Sequence, residues 1–314
     1  MRDLVTVIIP TTCESHREEV LWRAIGSLKS QEAAPPQVLI IVNGKRVHAP
    51  AYETLIRQPE LRVQYRENGN VSEARYFGRT LVDTPFFAFL DDDDIFLPNA
   101  LQIRLEAMAP HCDVVVTNGQ FYDEPVFVDV AEIRKNPLRA LARRCWLASC
   151  GGLYRTRTIG PEFFNHAMRW NEVTVLAFDL LLAGKCFEFV DDLTWRTFRT
   201  ENSAYAQTSP ERAEQELALL RELVHRAPKQ VRRVFRQKLV DQLHAISDSF
   251  LTCGDLDKAF QYHFACLKNH GFRYCLYTCL LLYAALERRR TGTVRAPLQS
   301  QNDLPGRAGW KRRS

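Results

Sequence analysis

Unbroken apolar runs, separated by stretches of helical periodicity, fill the first third of the chain and restrict its fold more than any other feature. Residues 4–9 (LVTVII) and 38–42 (VLIIV) are almost wholly apolar and β-branched, and 86–90 (FFAFL) and 113–117 (DVVVT) follow. Residues 61–65 (LRVQY) read as one more strand. A strand with one face in water alternates apolar and polar side chains, whereas a continuous apolar run is covered on both faces. Between the runs, 18–30 places Val20, Leu21, Ala24, Ile25 and Leu28 on one helical face, and 71–82 and 98–108 have helical spacing too. This alternation predicts an α/β fold: a mostly parallel, Rossmann-like sheet with helices on both faces. Such sheets bind ligands outside the carboxyl ends of their strands. Those ends here carry Pro10-Thr11-Thr12, Asn43-Gly44 and four consecutive aspartates, Asp91 to Asp94.

Beyond residue 124 the pattern loosens, with helical spacing at 171–183 and a short strand at 186–190. After Ser209-Pro210 the character changes to amphipathic helices at 211–224, 229–253 and 256–268. The turn Gly254-Asp255, followed by Asp257, Ala259 and Tyr262, is similar to one tetratricopeptide-like hairpin. One unit is not an array, so a C-terminal helical appendage is expected. Three segments result: 1–208, 209–290, and a basic, non-periodic tail at 291–314 expected to be disordered.

Nine cysteines without metal-ligand spacing suit reduced thiols in a cytoplasm. The first strand begins within the opening residues, so no export signal is expected. A net charge of +5 on 314 residues is too mild to call for nucleic acid. The basic residues gather late, at Arg288-Arg289-Arg290 and Lys311-Arg312-Arg313. The apolar stretch 274–286 is about 13 residues, short of the ~20 that span a bilayer. Segment 272–286 (FRYCLYTCLLLYAAL) is either a core helix of the appendage or a helix lying in a membrane interface, with peripheral contact through 272–290.

Four adjacent aspartates need an explanation. An acid before Ile95 suits a helix N-cap, which accounts for Asp94. Packing the others together raises their pKa values unless a cation neutralises them. A hard divalent ion does so, and Mg²⁺ typically takes one or two carboxylates plus substrate phosphates.

These residues resemble the family 2 glycosyltransferases of the GT-A fold, inverting enzymes that use nucleotide-sugar donors. The resemblance rests on VTVIIPTTCE at 5–14, VLIIVNG at 38–44, NGNVSEARYFGRTLVDTPFFAFLDDDDIFLP at 68–98 and WRTFRTENS at 195–203, covering roughly 4–205. It implies a DXD-type acidic motif holding Mg²⁺ or Mn²⁺ on the donor's diphosphate. Carried over, Asp93 is the metal ligand, Asp91 a second candidate and Asp92 the acid nearer the ribose. The resemblance also implies that Pro10, Thr11, Thr12 and Glu14 lie in the nucleotide loop. Thr12 and Cys13 replace the family's Tyr-Asn there, so an aromatic stack on the base is missing. Asn43 stands where an aspartate commonly reads the base, and Arg75 matches an arginine beside base and phosphates.

Inverting transfer needs a general base at the acceptor hydroxyl. The family's carboxylate precedes a helix ended by glycine, and Glu172 takes that place ahead of Gly184, with Val173 where a second acid is usual. Asp191-Asp192 is a weaker alternative, and Asp179 reads as structural. Phe198 stands at a frequent histidine position, so Arg196 and Arg199 are the candidates for charge on the diphosphate. Gly151-Gly152 is expected to line the sugar. The reading is a cytoplasmic, metal-dependent glycosyltransferase with a glycan or lipid-linked acceptor. A catalytically inactive GT-A-like binding module, favoured by the broken motifs, and a nucleotidyltransferase remain as alternatives.

Overall fold

The structure, a computed structural model, describes residues 4–31, 34–67, 69–164, 171–199 and 210–291. The tail from residue 292, Asn68 and residues 200–203 of the WRTFRTENS segment lie outside the described residues. The chain divides into two compact units, residues 1–207 and 208–314.

The first unit is built on β1 (Val5–Thr11), α1 (Glu18–Lys29), β2 (Gln37–Asn43), α2 (Ala49–Ile56), β3 (Leu61–Arg66) and α3 (Val71–Thr80). There follow β4 (Phe86–Phe89), β5 (Ile95–Phe96), α4 (Ala100–Glu106), β6 (Val114–Phe121), α5 (Val130–Lys135) and α6 (Pro137–Arg143). β7 (Gly152–Arg155), α7 (Glu172–Leu182) and β8 (Phe187–Thr197) complete it. The strands form an eight-stranded sheet in the order β3-β2-β1-β4-β7-β6-β8-β5.

The sheet is mixed. β3, β2, β1 and β4 run parallel, as the apolar runs predict, and β6 runs parallel to β8. β7 lies antiparallel to both β4 and β6, and β5 antiparallel to β8. All seven residues of β1 are buried, as continuous apolar strands require. Leu21, Ala24, Ile25 and Leu28 of α1 pack against that layer. On α3, Gly78 lets the helix approach closely: a Cβ there would lie 2.6 Å from the Ile8 side chain. That contact sets the distance at which Arg75, one turn earlier, meets the end of β4.

One sequence expectation changes, and one candidate pair finds its place. Asp94 does not cap a helix: Ile95 and Phe96 pair with Arg196 and Trp195 of β8, and α4 starts only at Ala100 behind Asn99. The β-branched and aromatic pair suits a strand, and Pro98 delays the helix. Asp191 and Asp192 sit where β8 slips register against β6, and Asp191 accepts a hydrogen bond from Asn118 Nδ2 (2.8 Å).

The second unit contains α8 (Pro210–Arg226), α9 (Lys229–Thr252), α10 (Leu256–Lys268) and α11 (Tyr277–Thr291). Leu239, Val240 and Leu243 of α9 bury against Leu217 and Leu220 of α8. Gly254, with φ +81°, turns the chain, and the Asp255 side chain caps α10 at the Lys258 N–H (3.1 Å). Residues Phe272–Tyr274 form a separate 3-10 turn, so the last helix is shorter than its apolar run suggests. Tyr277, Leu281 and Ala284 of α11 are buried on Leu251, Leu256 and Ala259. No described helix is long and apolar enough to cross a membrane.

Candidate functional site

The ends of β1 and β4 bring Thr11 against the acid run. Thr11 Oγ1 donates to Asp92 Oδ2 (2.6 Å) and accepts from the Cys13 N–H (3.0 Å), which fixes the turn after β1. Arg17, on a 3-10 turn Ser15–Arg17 ahead of α1, grips the same carboxylate. Its Nε donates to Asp92 Oδ2 (3.2 Å) and its Nη2 to Asp92 Oδ1, and Nη2 lies 3.4 Å from Asp93 Oδ2. Burial works against the Arg17 charge, but Asp92 above all, with Asp93 and Asp91, holds its pKa above the ordinary arginine value.

Arg75 is the centre of the cluster. It is 5% exposed, donates through Nη2 to Asp91 Oδ1 (2.6 Å) and through Nη1 to Glu172 Oε1 (2.5 Å). α3 delivers it because the Asn70 side chain caps the helix at the Glu73 N–H (3.1 Å), one turn before. Glu172 is the first residue of α7, behind Asn171 in the left-handed region at φ 62°. Burial would lower the Arg75 pKa, yet Asp91 and Glu172 together raise it. Phe89, Tyr154, Phe164 and Leu176 wall a recess against this pair, and their apolar surfaces keep water from screening it.

Asp91 is fully engaged: Ser149 Oγ donates to its other oxygen (2.6 Å). Burial pushes its pKa up, but Arg75, Ser149 and Arg17 hold it below the usual carboxylate range. The Ser149–Gly151 turn is fixed from beneath by buried Arg104, which donates to the Cys150 carbonyl and Thr194 Oγ1, both at 2.8 Å. Among the described residues Arg104 has no carboxylate partner, and burial draws its pKa down to about 10. Asp94 is buried and accepts from the Phe198 N–H (3.3 Å). Burial, then Asp91 and Asp93, raises its pKa well above the carboxylate range.

Asp93 differs from Asp91, which is held low. Its pKa is pushed up to about 6 by burial, with Asp92 and Asp91 adding and Arg17 opposing. A carboxylate so placed binds a cation favourably. Among the described residues no three His, Cys, Asp or Glu side chains close around one point. The donor set fits an ion that takes one carboxylate from the protein and its remaining oxygens from phosphate and water, as Mg²⁺ commonly does. Asp91, the second candidate ligand, has both oxygens engaged by Arg75 and Ser149.

Thr11, Arg75, Asp91, Asp92, Asp93 and Glu172 thus meet in one place. Glu14, Asn43, Arg196 and Arg199 make their described contacts elsewhere. Glu14 pairs with Arg46 (3.1 Å), and Asn43 is buried at the end of β2. Thr12 is half-buried beside Thr11, and Pro10 is a paired residue of β1. Arg196 and Arg23 lie over the Phe198 ring at 5.4 and 3.9 Å, and Arg199 lies over Tyr122 at 5.5 Å. Arg17, Arg23 and Ser149 were not foreseen. Only Ser149 had a nearby signal, the Gly151-Gly152 pair.

A family model described as glycosyl transferase family 2 matches residues 6–164. No curated protein matches. Among solved structures, a crystal structure of S. aureus TarS residues 1–349 in complex with UDP-GlcNAc is similar, with a TM-score of 0.56 at 14% identity. The match covers 86% of this chain and 91% of that one. A second crystal structure of TarS 1–349 gives 0.52 at 14% identity, covering 84% and 91%. At that identity the likeness is one of fold, the GT-A fold.

Proposed function

Because the chain belongs to glycosyl transferase family 2, we propose that it moves one sugar, with inversion, from a nucleotide-sugar donor to a glycan or lipid-linked acceptor. The observation that carries this reading is Arg75, which ties the candidate base Glu172 to the acid run through two short ion pairs. A base and a diphosphate site must lie on either side of one anomeric carbon for inverting transfer. The nucleotide sugar bound by TarS, of the same fold, supports the donor class.

In this mechanism the acceptor hydroxyl attacks the anomeric carbon from the face opposite the diphosphate. Glu172 takes the hydroxyl proton as the new C–O bond forms. The bond from the anomeric carbon to the phosphate oxygen breaks, and its electron pair leaves with the nucleoside diphosphate. Arg75 holds the Glu172 carboxylate in place, and Thr11 with Arg17 holds Asp92 towards the nucleotide. Asp93 would hold Mg²⁺ or Mn²⁺, whose charge neutralises the leaving diphosphate. Arg196 and Arg199 are the candidates for added positive charge on it.

We assign the transfer to the segment 1–208. The nine free cysteines suit a reducing, cytoplasmic compartment. Contact with a membrane surface through 272–290 belongs to the same reading, since a lipid-linked acceptor would be presented there.

The test is a panel of nucleotide sugars assayed for binding and hydrolysis with Mn²⁺ or Mg²⁺. One or more should turn over, Asp93→Asn should abolish turnover, and Glu172→Gln should lower kcat by roughly 10²–10⁴. A panel in which no donor binds or reacts would refute the reading.

A further inference from the structure

The acid run carries its own cations. Arg75 answers Asp91, and Arg17 answers both oxygens of Asp92 while lying 3.4 Å from Asp93. Arg23 adds a third guanidinium at the Asp93 carbonyl (2.7 Å). The Arg17 side chain is only 18% exposed and that of Asp92 6%, so solvent screens their charges weakly. Thr11 donates to the Asp92 Oδ2 that also receives Arg17 Nε, so the carboxylate is a fixed seat for Arg17.

A divalent ion at Asp93 would therefore stand beside a fixed guanidinium. Two like charges a few ångströms apart repel, and a doubly charged ion feels twice the effect of a proton. The described side chains supply no further trio of ligands to offset this. A diphosphate changes the balance, because its negative oxygens attract both the ion and Arg17.

We infer that Arg17 is a built-in counter-cation that keeps the donor-free acid run from holding a divalent ion, so that the ion enters together with the diphosphate. This rests on the reading of Asp93 as the metal ligand. Arg17 here is a positioning and charge-setting residue, and its effect is on metal affinity before any chemistry.

Manganese binding to the full-length chain, read from the loss of the free Mn²⁺ electron paramagnetic resonance signal, tests it. Titrations are run without additive, with inorganic pyrophosphate and with UDP, each against a protein-free control whose Mn²⁺ uptake by the diphosphate itself is subtracted. Wild type should take up Mn²⁺ weakly alone and at least about tenfold more tightly with one of the two diphosphates. Arg17→Gln should bind Mn²⁺ about tenfold more tightly than wild type in the absence of diphosphate. Arg17→Lys, which keeps the charge, should behave as wild type. Asp92→Asn, which removes an acid and leaves Arg17 charged, should gain no affinity, and it guards against a misfolded Arg17→Gln. Unchanged or weaker Mn²⁺ binding by a folded Arg17→Gln would overturn the inference, as would wild type binding Mn²⁺ equally well with and without diphosphate. No Mn²⁺ uptake by wild type even with UDP would overturn the Asp93 reading itself, and the inference with it.

Discussion

Arg75 answers two carboxylates that reach it from 16 and 97 residues away, with its own side chain almost fully buried. Its Nε has no partner among the described residues, so the two ion pairs must offset its desolvation. Breaking a buried pair leaves uncompensated charge, and here the loss would strand two acids together. Arg75→Met is expected to destabilise the protein by roughly 3–5 kcal/mol, and Arg75→Lys by less, because one ammonium meets one carboxylate well and not two. Urea denaturation of the three proteins measures this; a loss below about 1 kcal/mol for Arg75→Met would mean the pairs are not closed in solution. Arg75 and the aspartates were legible because they lie within one contiguous motif. Arg17 was not: its bond to Asp92 spans 75 residues, and in one dimension it is an ordinary arginine before a helix. The role of Asp94 is hidden for a related reason. Its partner, the Phe198 N–H, lies 104 residues downstream.

Elements were legible in proportion to how far their pattern is local. β1, β2 and β4 emerge within a residue or two of their apolar runs, since a strand buried on both faces declares itself by composition. The edge strand β3, mostly exposed, shows instead in the alternation of Leu61, Val63 and Tyr65 with polar residues. α2 went unseen because eight residues beginning at Ala49-Pro50 are too few to show a period. β7, four residues containing one glycine, gives no sign of its antiparallel direction, which depends on where the chain returns. The helices of the second unit were clear from their periodicity, but their polar interior was not. His263 is fully buried, its Nε2 lies 2.7 Å from Thr278 Oγ1, and its Nδ1 has no partner among the described residues. Burial lowers its pKa, and burial chiefly lowers that of His244, which stacks on Tyr274 at 3.8 Å. Both folded values lie below the ordinary histidine value. As pH falls through about 6.5 the unfolded chain binds protons that the folded unit resists, so stability is present above that pH and lost below it. Glu216, raised by burial, works in the opposite sense, towards the more acid carboxylate range. Between about pH 7 and 5.5 the two histidines therefore subtract from stability as pH falls, while Asp93 and Asp94 of the first unit, both raised, act in the opposite sense. The histidine part is read by difference: denaturation midpoints of His263→Gln should fall less, or rise more, than those of wild type over that window. An unchanged slope in that variant would show that the ring is hydrated.

For the whole molecule, the question is what the exposed part of the last helix meets. Tyr277, Leu281 and Ala284 account for the buried face of α11. At 100° per residue, Leu282, Tyr283 and Leu286 project to the opposite side, where they are 52%, 51% and 64% exposed, and Leu276, in the turn just before the helix, is 79% exposed. Phe272, on the preceding turn, is 66% exposed. Water does not favour such a stripe, and scattered surface apolar residues need no explanation only when they are single. Arg273, Arg288 and Arg290 lie along or just beyond it, and the sequence after residue 291 adds Arg295, Arg307, Lys311, Arg312 and Arg313 against one acid, Asp303. An apolar face bordered by arginines matches the interface of an anionic bilayer, where buried apolar area and basic charge act together. A single stripe on a fifteen-residue helix is narrow for a stable dimer, which buries about 800 Å² per partner. The full-length chain should therefore float with phosphatidylglycerol vesicles, bind phosphatidylcholine vesicles less, and release as salt rises. Leu276→Gln, Leu282→Gln and Leu286→Gln combined change only exposed positions, so the fold should survive while flotation is lost. If that triple variant floats as wild type does, the stripe is not what meets the lipid, and the acceptor must reach the first unit by another route.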